Sequence, residues 1–127
     1  MRADRREVAA VFIGGCAGAL ARALLVEALP HDAGEWPWAT FGANAGGAFL
    51  LGWLVTHLQE RLPPSAYRRP LLGTGLCGAL TTFSTLQLEL LQILDAARIG
   101  LAASYAGASL AAGCFAVALA TNLVRRA

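Results

Sequence analysis

The chain has 127 residues, enough for a single domain spanning 1–127, and 57% of them are hydrophobic while only 14% are charged. Soluble domains carry roughly 45–50% and 25%, and one this small has abundant surface to cover with charge, so the composition suits lipid rather than water as solvent. A net charge of +2, with all ten basic residues Arg, is too small to point to a nucleic-acid partner.

Arg2, Arg5 and Arg6 precede an apolar run, which imitates a secretory signal, and Ala17-Gly18-Ala19 imitates a cleavage site. The apolar character continues beyond it and three similar runs follow, so it reads as a retained first span. A helix needs about 20 apolar residues to cross a hydrocarbon core of ~30 Å. Four segments are read as meeting that demand: 8–29, 36–59, 70–88 with a short continuation to 94, and 99–124. The connections 30–34, 60–69 and 95–98 carry Pro, charge or both, as interfacial loops do.

The first span is apolar except for Arg22 and Glu27 near its end. The second opens on Trp36-Pro37-Trp38, an aromatic anchor at the membrane surface, and carries Asn44 within it. Small residues recur four apart at Gly14/Gly18, Gly42/Gly46 and Gly107/Ala111, the spacing that lets helix backbones approach in lipid. Cys16, Cys77 and Cys114 are odd in number and widely spaced, which gives neither a disulfide framework nor a zinc site; they read as buried thiols.

The third span is the irregular one. Its Gly73-x-Gly75-x-x-Gly78 fits a dinucleotide pattern by chance, since no strand precedes it. Thr81-Thr82-Phe83-Ser84-Thr85 follows. Glycine and β-branched residues make a poor helix interior, and hydroxyls compete for backbone groups. A broken helix near the midplane is one reading, tolerable only where protein or a water-filled cavity surrounds it. The other is a continuous helix with its hydroxyls bonded back to carbonyls. Glu89 at the end of the span reads as an interfacial charge, and no Asp or Glu is placed mid-span.

The stretch from Gly75 to Thr85, GLCGALTTFST, resembles the signature of the CrcB/Fluc family of fluoride channels. So do Trp36-Pro37-Trp38-Ala39-Thr40 with Asn44, Gly46-Gly47 and Leu51-Gly52; Gly14-Gly15-Cys16-Ala17-Gly18-Ala19 with Arg22; and Tyr105-Ala106-Gly107-Ala108-Ser109. The resemblance implies an all-α integral membrane protein of four transmembrane helices, the third broken near the midplane, in an antiparallel dimer with two fluoride pores. It implies a structural Na⁺ at the dimer centre, held by backbone carbonyls of Gly78 and Thr81. It also implies passive fluoride efflux across the plasma membrane.

Fluoride is tightly hydrated, so a pore must replace water with donors that still let the ion leave. Asn44 supplies an amide, and Thr40, Ser84 and Thr85 supply hydroxyls. Phe83 can present the positive edge of its ring. Tyr105 and Ser109, at i and i+4, share a helix face as a polar track, and Arg22 attracts anions to a vestibule or snorkels. Two departures from the family pattern stand out: Leu86 where a second Phe is usual, and Gly113 interrupting the track.

Two other readings stay open. A small four-helix proton-coupled exporter needs a mid-membrane carboxylate, and a non-conducting membrane subunit of a heteromeric channel is kept open by Leu86. With no nucleophile–base pair or metal cluster, the chain is not read as an enzyme. One side carries Arg2, Arg5, Arg6, Arg61, Arg68, Arg69, Arg125 and Arg126, and the other only Arg98. The positive-inside rule then puts both termini in the cytoplasm. So strong a bias leaves two partners open for the antiparallel dimer: an oppositely oriented paralogue, or the chain itself with strong dimer contacts rescuing a minority of inverted copies.

Overall fold

The computed structural model describes residues 4–63, 65 and 67–127; Arg2, counted above, lies outside the described residues. The described residues are helical with no strand: α1 (Arg5–Ala28), α2 (Trp38–Glu60), then a π-helical stretch (Arg69–Cys77) running into one α-turn (Gly78–Leu80), together α3. Phe83–Asp95 forms α4 and Ile99–Arg126 forms α5. Asp4 caps α1 by accepting from the Arg6 N–H at 3.1 Å, as N-cap carboxylates do. Among the described residues, three helices are long and apolar enough to cross a membrane: Arg5–Ala28, Arg69–Asp95 with its interruption, and Ile99–Arg126. Helix α2, 23 residues long, is not among the three.

Packing pairs α1 with α3 and α2 with α5. The first pair meets backbone to backbone. A Cβ on Gly14 would run into the Leu71 carbonyl and one on Gly18 into the Leu76 carbonyl, while one on Gly75 would lie 2.6 Å from the Val11 oxygen. The Gly14/Gly18 spacing therefore acts as expected. Gly42, Gly46 and Gly107 do not: each faces open space in the single chain. In α2 it is Gly47 and Gly52 that admit neighbours, Thr81 and Val117 respectively. The cysteine expectation is likewise corrected, since only Cys77 is buried and Cys16 and Cys114 are exposed on the helix surfaces.

The helix ends sort into two clusters. At one end Arg6 reaches the Tyr67 hydroxyl (3.5 Å), Arg61 donates to the Val124 carbonyl (2.7 Å), and Arg125 pairs with Glu60 (3.0 Å). At the other, Arg98 donates to the Gly34 carbonyl at 3.2 Å. Both chain ends and most arginines thus share one end of the bundle.

Gly14→Ala and Gly18→Ala will force α1 off α3, costing about 1–3 kcal/mol or more as overpacking does. Gly15→Ala, whose Cβ meets nothing within 4 Å, will be near neutral. Thermal unfolding of the three purified variants in detergent checks the contrast.

Candidate functional site

The break falls at Thr81 and Thr82. Both adopt extended backbone, with φ −79° and ψ 151° at Thr81 and φ −149° and ψ 123° at Thr82. The break reading of the third span is the one the structure adopts, and the rearranged hydrogen bonds explain how. Thr81 still donates its N–H to Cys77 O (3.0 Å), and its hydroxyl bonds the same carbonyl (2.9 Å). The Thr82 N–H, which a continuous helix would direct at Gly78 O, goes to Asn44 Oδ1 instead (2.7 Å). Asn44 Nδ2 in turn donates to Thr82 O (3.0 Å). One amide side chain thus closes a ring on both polar groups of a single backbone residue, which is what Asn offers and an apolar residue cannot.

Downstream, Thr82 caps α4: its hydroxyl oxygen accepts the Thr85 N–H (3.2 Å) and its proton goes to Thr85 Oγ1 (3.0 Å). Ser84 Oγ lies 3.4 Å from the same hydroxyl. Upstream, the carbonyls at the end of α3 lose their helical partners. Arg22 Nε takes Ala79 O at 3.1 Å, so Arg22 neither snorkels nor stands free; it crosses from α1 to α3. Among the described hydrogen bonds none reaches Gly78 O or Thr81 O, and Gly78 is exposed with open space beside it. Asn44, Thr81, Thr82 and Phe83 line an open cavity of ≈ 230 Å³. Phe83 is 71% exposed, whereas Leu86 turns inward against Ile93, Ala102 and Tyr105.

A second cluster lies deeper in α4. Glu89, read from the sequence as an interfacial charge, is only 5% exposed. Its Oε1 accepts from Thr40 Oγ1 (2.6 Å) and its Oε2 from the Tyr105 hydroxyl (2.7 Å). The expected roles of Thr40 and Tyr105 therefore change: their protons point at a carboxylate. Glu89 shares the buried face of α4 with Ile93, but no local pattern in the sequence marks that face. Tyr105 is fully buried and packs edge-on to Trp36 at 5.3 Å. Ser109, one turn on, has a buried hydroxyl with no partner, so the polar track divides between an engaged Tyr105 and a free Ser109. Ser109 and Gly113 border an apolar groove of ≈ 570 Å³ with Ala48, Leu110 and Val117.

Apolar helices long enough to cross a bilayer, one of them broken and braced by polar side chains, define a membrane protein. Residues 9–121 match the family described as "CrcB-like protein, Camphor Resistance (CrcB)", and the chain belongs to that family. It is 59% identical over 123 residues to a fluoride-specific ion channel FluC 1 of Mycolicibacterium paratuberculosis, covering 97% of this chain and 93% of the relative. It is 58% identical over 123 residues, with the same coverage, to the FluC 1 channel of Mycobacterium tuberculosis. A FluC channel of Bordetella avium is 42% identical over 102 residues, 80% of this chain and 79% of the relative. These relatives are named as channels, not enzymes, and the chain is a membrane protein.

Asn44→Ala will strand both polar groups of Thr82 and lower stability by about 1–3 kcal/mol. Ser84→Ala, which removes only a long side-chain contact, will stay within about 1 kcal/mol. Unfolding of both variants in detergent distinguishes them.

Proposed function

We propose that the chain is a fluoride-specific channel that lowers cytoplasmic fluoride by passive efflux across the plasma membrane. The single observation that carries the reading is the Asn44–Thr82 ring beside an exposed Phe83, within a chain so similar to channels named for fluoride. Hydrogen fluoride crosses bilayers neutral and dissociates inside, and a channel returns the anion down its electrochemical gradient.

The donors that replace the hydration of fluoride are neutral, so the ion can leave as well as enter. Asn44 has two amide protons and spends one on Thr82 O, leaving the second free. Ser109 has a buried hydroxyl without a partner, and Phe83 offers the positive rim of its ring. Ser84 and Thr85 border the same turn. Thr40 and Tyr105 act indirectly, by holding Glu89. Arg22 braces the break from α1 and places a positive charge next to it.

Four transmembrane helices, with Trp38–Glu60 as the remaining span, complete the proposed fold. An antiparallel dimer is supported by the surfaces that the single chain leaves open: Gly42, Gly46 and Gly107 without neighbours, and the apolar groove along α2 and α5. The Gly78 and Thr81 carbonyls, without recorded partners, fit a structural Na⁺ because hard cations take oxygen ligands; bound there, the ion would supply only charge compensation. The arginine asymmetry puts the termini in the cytoplasm and favours an oppositely oriented paralogue over self-pairing. FluC relatives numbered 1, 2 and 3 accord with such sets.

One observation favours a second reading: the buried Glu89 is a carboxylate of the kind a proton-coupled exporter uses. Its oxygens are both engaged by hydroxyls, and the relatives' names favour the channel.

Liposomes containing the purified protein will pass fluoride and not chloride. Equal passage of chloride, or proton-driven export of organic cations, would overturn the reading. Phe83→Ile and Asn44→Leu will cut fluoride flux severely; since Phe83 is mostly exposed, the fold of its variant will persist, so retained flux in an assembled Phe83→Ile protein would place the pore elsewhere. Terminal tags on the chain expressed alone will report cytoplasmic ends. Equal populations in both orientations with full activity would remove the need for a paralogue.

A further inference from the structure

Glu89 sets a problem for any pathway that conducts an anion. Thr40 and Tyr105 bind its two oxygens but are neutral, so they solvate the carboxylate without cancelling its charge. A buried charge needs a partner of opposite sign. Among the described residues, the group placed to become that partner is His31, whose Nε2 lies 4.0 Å from Glu89 Oε1. The two differ in access: the His31 side chain is 22% exposed and that of Glu89 6%. Protons from water therefore reach the histidine first.

The surroundings leave this pairing intact. Helix α2 contributes Thr40, α5 contributes Tyr105, and α4 contributes Glu89 itself. On the loop that carries His31, Asp32 and Glu35 are tied to each other through the Asp32 N–H and Glu35 Oε2 at 3.1 Å. Arg98, at the start of α5, donates to Gly34 O, bracing the loop while its charge stays on the backbone.

We propose that His31 is a proton-operated charge compensator for Glu89, raising fluoride conduction when the solution bathing its loop turns acid. The proposal rests on the fluoride-channel reading and deepens it. With His31 neutral the cluster carries one negative charge, and a fluoride ion nearby meets repulsion from it. With His31 protonated the cluster is neutral and that barrier falls. The sign follows directly. Conduction is high when the bathing solution is acid enough to protonate an imidazole and declines as pH rises. Acid is also the condition under which hydrogen fluoride enters fastest, so the device opens the exit when the load is greatest.

The test is electrical recording of fluoride current through the full-length protein in planar bilayers, because neutral hydrogen fluoride carries no current. With the same buffer on both sides, wild-type current at about pH 5.5 will exceed that at about pH 8. The expected ratio is about fivefold, the change in current that relieving about 1 kcal/mol of repulsion gives. His31→Gln will give the alkaline-level current at both values. His31→Arg, a permanent cation, will give the acid-level current at both. Equal wild-type currents at the two values overturn the inference while leaving the channel reading standing, as does a pH response that survives in His31→Gln. Complete loss of current in His31→Gln also overturns it, by making the histidine a structural support. Absence of fluoride current from the wild type at every pH overturns the channel reading itself.

Discussion

A helix that stops inside an apolar bundle strands backbone donors and acceptors where water cannot serve them, and each must be given a partner by the rest of the chain. The third helical segment meets that demand at Thr81 and Thr82 through residues from other elements. Asn44 from α2 holds the Thr82 N–H and C=O together, Arg22 from α1 takes the Ala79 carbonyl, and the Thr82 side chain caps the helix that resumes at Phe83. Much of the architecture follows from this. Helix α1 must lie against α3 for Arg22 to reach, which its glycines permit, and α2 must present Asn44 at the right height, which Gly47 permits by admitting the Thr81 methyl.

The same interruption gives the site its chemistry. A continuous helix would hide its amides and carbonyls in its own ladder. The broken one leaves Phe83 exposed, an amide with a proton to spare, and, among the described hydrogen bonds, two carbonyls without a donor. The polar residues then divide by partner. Asn44 and Arg22 are committed to backbone, Thr40 and Tyr105 to Glu89, while Ser109 keeps a buried hydroxyl free. That division assigns the hydroxyls of Thr40 and Tyr105 a positioning task and concentrates the available donors around the break and along α5.

Glu89 also shows how burial changes what a residue means. Near the end of an apolar run a glutamate resembles a solvated terminus, and nothing in its immediate neighbours says otherwise. In the structure Glu89 accepts two short hydrogen bonds from helices 49 and 16 residues away in sequence. Leu86 behaves comparably: it departs from the expected aromatic pair, yet it packs on Ile93, Ala102 and Tyr105 and so supports the floor under Glu89 rather than standing beside Phe83.

The sequence by itself determined the solvent and the helical class, and marked where a break could fall without deciding that it does. Long uncharged runs admit only a structure that satisfies its backbone internally, and glycines followed by hydroxylated β-branched residues mark where a helix is weakest. It also singled out Asn44, because an amide in a span must have a reason to be there. Tertiary structure alone decided which partners those groups take. Gly14 and Gly42 share the same four-residue spacing, but only Gly14 meets a backbone, since spacing defines a face and not what lies opposite. The Thr40–Glu89–Tyr105 cluster with His31 at its edge was invisible for the same reason: hydrogen bonds between helices depend on rotation and height, which no local pattern encodes.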